Sequence, residues 1–185
     1  MKSILISIKP RHCVNILNGD KKIEVRTTAT KDWKDYLSGK TDVMPEPIEC
    51  LIYCTKQTAR YYIKNKIYNS MINGKVIAKF TLKKVEKILP FIVRETKLGS
   101  AYELTEEKIM MCQKAQLTYD EYNAYLKSKV GYAWYIDELE IFKLPKELSE
   151  FEHYNLTEKS YRRFPYCDFN LTKAPQSWCY VESEQ

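Results

Sequence analysis

The chain has 185 residues, which is enough for one well-buried core and short for two, because domains cluster at roughly 100–150 residues. Hydrophobic residues make up 44% of the chain and charged residues 29%, a globular composition that excludes an intrinsically disordered protein. The formal net charge of +6 favours a polyanionic partner, although a mild excess of this kind also serves solubility.

Period-two and helical patterns alternate along the first 82 residues. Residues 3–9 predict a strand with Leu5, Ser7 and Lys9 on its more polar face, and residues 11–18 predict a short helix. Residues 21–28 return to period two, so Glu24 and Arg26 share one face of a second strand. Two later strands are predicted at 49–55 and 75–82, and the tract 57–71 between them is compatible with a helix.

Helix formers dominate the middle of the chain. Thr105 and Thr118 each precede acidic residues and predict the N-caps of two helices within 104–129. Strands follow at 132–136, 139–142 and 178–181. No repeat and no low-complexity linker interrupts the chain, so we expect a single domain, 1–185, with a helical insertion at about 87–129.

The six cysteines are expected to be reduced thiols in the cytoplasm, because the N-terminus does not fit a signal peptide. No apolar run approaches the roughly 18 residues of a membrane-spanning helix. Cys50 and Cys54 share one strand face, but His12 and His153 lack the spacing of metal ligands. We therefore expect no metal, no cofactor and no membrane partner.

One motif carries a specific resemblance. Gly19-Asp20-Lys21-Lys22-Ile23-Glu24-Val25-Arg26 fits Gly-x-Lys-x-x-Glu-x-Arg, and Ser7-Ile8-Lys9-Pro10 precedes it. This order resembles the ASCH family, a branch of the PUA-like superfamily. The resemblance is good over residues 3–28 and weaker over two later segments, 49–82 and 132–142. The ending Ala174-Pro175-Gln176-Ser177-Trp178-Cys179-Tyr180-Val181 further resembles prophage-encoded members.

The resemblance implies an α+β fold, with a PUA-like, mostly antiparallel β pseudo-barrel and peripheral helices. It also implies recognition of RNA or a modified nucleoside in a polar cleft around Lys21, Glu24 and Arg26. Physically, a guanidinium beside a carboxylate can grip a phosphate or a base edge. The expected nucleic-acid contacts, with the last two as stacking residues, are Ser7, Lys9, Lys21, Glu24, Arg26, Tyr53 and Trp134.

Three other interpretations stay open. The first is a metal-free hydrolase in the same cleft, a ribonuclease or an amidohydrolase on an acylated nucleoside, with Lys21 and Glu24 catalytic. The amidohydrolase branch has threonine where this chain has Glu24. The second is a phage module that binds a host protein through the tyrosine-rich insertion. The third is purely structural: Glu24 and Arg26 form an ion pair that closes the barrel, and Lys21 is a solvated turn residue.

Two basic segments could add contacts to a polyanion. The fourth predicted strand and its exit carry Lys79, Lys83, Lys84 and Lys87, and Arg162-Arg163 stands beside Phe164-Pro165-Tyr166. Each segment could equally be a solvated surface.

Overall fold

The computed structural model describes residues 1–57, 62–63, 66–67, 72–96, 99–154 and 170–182. Its backbone contacts group the chain into two compact units, each made of several segments. The first unit comprises Met1–Asn18, Ile48–Thr81 and Glu138–Gln185. The second comprises Gly19–Pro47 and Leu82–Asp137. The predicted insertion at 87–129 falls in the second unit, and the single domain stays a prediction.

A six-stranded sheet forms the first unit, in the order β11-β6-β3-β1-β13-β12. These strands are β1 (Lys2–Ile8), β3 (Ile48–Cys54), β6 (Val76–Leu82), β11 (Asp137–Lys146), β12 (Glu152–His153) and β13 (Trp178–Glu182). The strand β1 runs parallel to β3 and antiparallel to β13. It therefore lies in the interior of the sheet.

The polar face expected for the first strand is wrong. Every residue from Ser3 to Ile8 is buried, on both faces of β1. A strand with a neighbour on each side and both faces covered reads as a nearly continuous apolar run, and Ile4-Leu5-Ile6 is such a run. Lys9, just beyond the strand, is exposed.

The helix α1 (Pro10–Leu17) follows at once, because Pro10 occupies the first helical position, where its missing N–H is not needed. Its buried positions include Cys13, Ile16 and Leu17, and Asn18 forms the C-cap. This agrees with the predicted helix within one residue at each end.

The second unit contains a three-stranded antiparallel sheet, in the order β2-β10-β7, and most of the helices. Its strands are β2 (Ile23–Arg26), β7 (Val85–Ile88), β8 (Val93–Thr96), β9 (Gly99–Tyr102) and β10 (Gly131–Tyr135), with β8 and β9 paired as a hairpin. Its helices are α2 (Lys31–Leu37), α3 (Glu106–Ala115) and α4 (Tyr119–Leu126).

One apolar cluster joins this sheet to α3 and α4. Its buried members are Ile23, Val25, Ile88, Phe91, Met111, Cys112, Ala115, Tyr122, Leu126 and Ala133. The end of α4 packs directly on β10 at Gly131, since a Cβ there would lie 2.3 Å from Cδ2 of Leu126. The strand positions that do not enter this cluster, Glu24 and Arg26, are therefore left on the other face of β2.

Both predicted N-caps in this unit are confirmed. Thr105 accepts from the N–H of Lys108, and Thr118 forms a complete capping box with Glu121. The sequence interpretation missed α2, although Thr30 caps it by accepting from the N–H of Trp33. The prediction of a helix over 57–71 is wrong for the described part of that tract, because β4 (Tyr62–Ile63) pairs there with β5 (Lys66–Ile67).

The mixed α+β class is confirmed, and antiparallel pairs prevail. The strands within the described ranges form open sheets of six, three, two and two strands, without a closed barrel. In the same ranges no helix is long and apolar enough to cross a bilayer.

We expect Thr118→Ala to lower the free energy of unfolding by about 1 kcal/mol, because it removes the hydroxyl that accepts the Glu121 N–H at 3.1 Å. Thr118→Ser keeps that hydroxyl and should stay close to the wild type. Urea denaturation followed by circular dichroism measures both. Equal destabilisation by alanine and serine would mean that the methyl group, and not the cap, matters.

Candidate functional site

A short turn and the strand β2 place the motif residues. Gly19 has a φ of +82°, a conformation that glycine adopts without strain, and it leads from the end of α1 towards Lys21. In β2 the side chains of Ile23 and Val25 enter the apolar cluster. Glu24 and Arg26 share the opposite face, as the sequence predicts.

Lys21, Glu24 and Arg26 form one buried ionic cluster. The ammonium of Lys21 lies 3.3 Å from Oε2 of Glu24, and Nη2 of Arg26 lies 3.1 Å from Oε1 of the same carboxylate. The three residues are 2%, 7% and 6% exposed. Each carboxylate oxygen thus faces a different cation, and the three formal charges sum to one positive charge.

Lys21 also closes the C-terminal end of α3. Its ammonium donates to the carbonyl of Ala115 at 2.6 Å, and the backbone N–H of Lys22 donates to the carbonyl of Lys114 at 2.8 Å. Carbonyls in the last turn of a helix lack intrahelical partners, and a cation there is favourable. The interpretation of Lys21 as a solvated turn residue is therefore wrong.

Tyr125, on the last turn of α4, extends the cluster towards solvent. The guanidinium of Arg26 donates a hydrogen bond to its hydroxyl. Burial raises the pKa of this hydroxyl, and the hydrogen bond and charge of Arg26 oppose the rise. The residue is nevertheless 41% exposed. Tyr125 is thus the most accessible member of this group, while its hydroxyl contacts the buried Arg26.

Sequence reasoning missed Tyr125. No local spacing relates it to Arg26, because the two residues are far apart along the chain and meet only through the packing of α4 on the sheet. The available signal was the N-cap at Thr118 followed by a helix rich in tyrosine, with Tyr122 buried and Tyr125 exposed. That signal identifies an exposed ring but not its partner.

Trp134 lies directly opposite Glu24 in the β2–β10 pair and is fully buried. A base cannot stack on an indole that presents no surface, so the expected stacking role is wrong for Trp134 in this structure.

Three expected contacts belong to the first unit. Ser7 and Tyr53 are register neighbours in β1 and β3, at 7% and 5% exposure. The hydroxyl of Ser7 donates to the carbonyl of Pro175 at 2.7 Å, while Tyr53 packs in an apolar cluster that includes Leu5. The stacking role expected for Tyr53 is therefore also wrong. Lys9 is exposed and remains a candidate cation.

The basic strand exit is partly neutralised by carboxylates. Lys79 pairs with Glu49 at 3.1 Å and with Glu140 at 3.5 Å, and its hydrogen bond to Glu49 raises its pKa. Lys84 pairs with Glu86 at 2.7 Å. Lys79 in the first unit and Lys84 in the second are therefore each weaker candidates for an anion contact than an unpaired lysine would be. Arg162 and Arg163 lie outside the described residues.

A second polar group surrounds Glu86. Its carboxylate accepts from the hydroxyl of Tyr135 at 2.6 Å, and Lys84 lies 4.6 Å from the centre of the Tyr135 ring. Burial acts to raise the pKa of Glu86, but the hydrogen bonds from Lys84 and Tyr135 lower it overall. These three side chains satisfy one another, which is typical of a structural network.

No group of three potential metal ligands occurs within the ranges that the structure describes. Cys50 and Cys54 are free and buried, and burial raises the pKa of the Cys50 thiol well above its usual range. A thiol held neutral in this way is a poor metal ligand.

No family model matches the sequence, and no curated protein matches it. Solved structures do. A crystal structure of ASCH from Zymomonas mobilis matches 97% of this chain and 87% of its own, with a TM-score of 0.54 and 13% identity. A serine-to-alanine mutant of that protein matches 97% of this chain and 88% of its own, with a TM-score of 0.54 and 14% identity. A tyrosine-to-phenylalanine mutant matches 98% of this chain and 91% of its own, with a TM-score of 0.54 and 13% identity.

The likeness extends over nearly the whole of both chains, which agrees with the resemblance carried by the Gly-x-Lys-x-x-Glu-x-Arg motif. At 13% to 14% identity it is a likeness of fold. This chain has the fold of the ASCH proteins.

Proposed function

We propose that this protein recognises RNA or a related nucleic acid through the cluster of Lys21, Glu24 and Arg26. The observation that carries the proposal is that Arg26 is held by Glu24 at 3.1 Å and reaches a half-exposed tyrosine, within a group of net positive charge. A guanidinium oriented in this way needs little rearrangement before it binds a phosphate. The ASCH fold and the net charge of +6 support the same ligand class.

The three residues take different roles in this proposal. Arg26 contacts the ligand, and Glu24 orients Arg26. Lys21 supports the site from behind, because its ammonium is already bound to the Ala115 carbonyl and to Glu24. Lys9, exposed in the first unit, is proposed as a separate phosphate contact, and Ser7 as a residue that supports the local backbone.

A metal-free hydrolase at the same cluster is the second candidate. The observation in its favour is a buried lysine beside a carboxylate, with a second cation on that carboxylate. The oxygen atoms around Lys21 stabilise its charged form, however, and a catalytic base or nucleophile must give up its proton. Binding without cleavage is therefore the preferred function.

The binding test uses fluorescently labelled single-stranded and hairpin RNAs in a gel assay at several salt concentrations. We expect the affinity of the wild type to fall steeply as salt rises, because phosphate contacts release counterions. Arg26→Gln should weaken binding by about tenfold or more, since it removes a hydrogen bond from a charged group. Arg26→Lys should recover only part of the affinity, because lysine lacks the planar fork of donors.

Lys31→Gln is the matched control. It also removes one positive charge from the second unit, but Lys31 is exposed and pairs with Asp35. Equal weakening by Arg26→Gln and Lys31→Gln would contradict the assigned site. Neither retardation nor cleavage of any RNA would contradict RNA as the ligand and favour the protein-interaction interpretation. RNA cleavage that disappears in Glu24→Gln would favour the hydrolase.

Glu24→Gln should also be strongly destabilising, by about 3–5 kcal/mol, because it leaves two buried cations without their shared carboxylate. Lys31→Gln should change stability little, since it breaks an exposed pair. Urea denaturation compares the two variants. If the two variants lose the same free energy of unfolding, water solvates the charges of the cluster, and the loss of Glu24 leaves no buried cation unpaired. Cleavage assays on Glu24→Gln need a circular dichroism spectrum that confirms folding.

A further inference from the structure

Tyr125 differs from every other Phe, Trp or Tyr side chain whose burial the structure describes. It is 41% exposed, whereas all the others are half-buried or buried. The residues to which it is linked are far more enclosed, with Arg26 at 6% and Glu24 at 7%. Within this group, Tyr125 therefore offers a ligand more accessible surface than Arg26 or Glu24 does.

Packing fixes the helix that carries this ring, and a hydrogen bond holds its hydroxyl. Tyr122 and Leu126 anchor α4 in the apolar cluster, and Leu126 lies against Gly131 so closely that a Cβ there would be 2.3 Å from Cδ2. The same point lies 3.2 Å from the backbone oxygen of Arg26. Arg26 then holds the hydroxyl of Tyr125 by a hydrogen bond. An exposed ring that is fixed in this way loses little conformational entropy when it binds a flat partner.

Cations follow the ring directly along the chain. Lys127 and Lys129 are exposed, and they stand in the turn between α4 and β10. Lys127 and Ser128 have φ values of 48° and 59°, in the left-handed region that non-glycine residues rarely adopt. The turn leads to Gly131, the first residue of β10, and β10 pairs with β2. The two lysines thus stand between Tyr125 and the strand next to Arg26.

We propose that Tyr125 is the stacking residue of the nucleic-acid site and that the ligand is single-stranded. An unpaired base lies against the exposed ring, while adjacent phosphates contact Lys127 and Lys129. A base within a duplex has both faces covered by its neighbours, so this contact selects unpaired strands. The inference rests on the proposed function and names its ligand class. It also replaces Tyr53 and Trp134, whose rings are buried.

The test uses a single-stranded RNA of about ten nucleotides with one 2-aminopurine, a DNA strand of the same sequence, and the corresponding RNA duplex. Stacking quenches 2-aminopurine, so fluorescence reports the base contact and anisotropy of a terminal dye reports total binding. Tyr125→Phe keeps the ring, and Tyr125→Leu removes it. Met110→Ala, at a half-exposed position of α3 outside the cluster, is the control.

We expect both wild type and Tyr125→Phe to quench the probe, since stacking needs only the ring. Tyr125→Phe should bind more weakly than wild type but more tightly than Tyr125→Leu, because its ring is no longer held by Arg26. Tyr125→Leu should abolish the quenching and bind roughly 5- to 150-fold more weakly, the range that one base–aromatic stack implies. Replacing Lys127 and Lys129 together by Gln should reduce the slope of log affinity against log salt by about 0.7 for each phosphate that is no longer neutralised.

Three results would overturn the inference while leaving the proposed function intact. They are unchanged quenching in Tyr125→Leu, equal affinity of wild type for duplex and single strand, and weakening by Arg26→Gln without weakening by Tyr125→Leu. If the wild type binds none of the three probes at low salt, the proposed function itself fails, and the inference fails with it. Similar affinity for the RNA and DNA strands would support the inference, because it would mean that the protein recognises the base and the phosphate and not the 2′-hydroxyl.

Discussion

The carboxylate of Glu24 holds two buried cations, and the arrangement of the second unit depends on it. An isolated cation in the interior would cost several kcal/mol, so neither Lys21 nor Arg26 would stay there without a partner. With Glu24 in place, Lys21 can reach the last carbonyl of α3, at Ala115. Arg26 can reach Tyr125 at the end of α4. One side chain on β2 thereby connects the strand to both helices of the apolar cluster.

In the proposed function, this arrangement would separate the source of charge from the surface that a ligand contacts. The cations are enclosed, where the low local dielectric strengthens electrostatic interactions. The exposed surface is an aromatic ring, which tolerates any base because every base has a flat face. Affinity would then come from charge and shape together, with little sequence preference. In that function, an oriented guanidinium and a fixed ring would also leave little disorder to remove upon binding.

The sequence predicted the local parts of this structure well and the long-range parts poorly. The alternation in residues 21–28 places Glu24 and Arg26 on one face, and the caps at Thr105 and Thr118 mark two helices, because these features depend on neighbours in the chain. Alternation says nothing about what lies across a strand. The burial of Trp134, and the contact between Lys21 and the carbonyl of Ala115, therefore had no local signal.

The parallel pairing of β1 with β3 had no local signal either. A strand that is covered on both faces still shows polar residues such as Ser7 when their hydrogen bonds are met by distant backbone, here the carbonyl of Pro175. For the same reason Tyr125 joins the cluster only through the packing of α4 against Gly131, which no pattern in the chain predicts. The fold could be predicted from the resemblance to the ASCH family, whereas the exposed position of Tyr125 depends on packing that the sequence does not show.

Both units are assembled from segments that are far apart along the chain. The strand β1 pairs with β13, so residues 2–8 must wait for residues 178–182 before their sheet gains its antiparallel neighbour. The second unit likewise needs β2 to meet β10, although the intervening segment 48–81 belongs to the first unit. During synthesis on the ribosome, the early strands would therefore emerge without their partners. Folding should be slow, because contacts between distant segments must close long loops before they stabilise the fold.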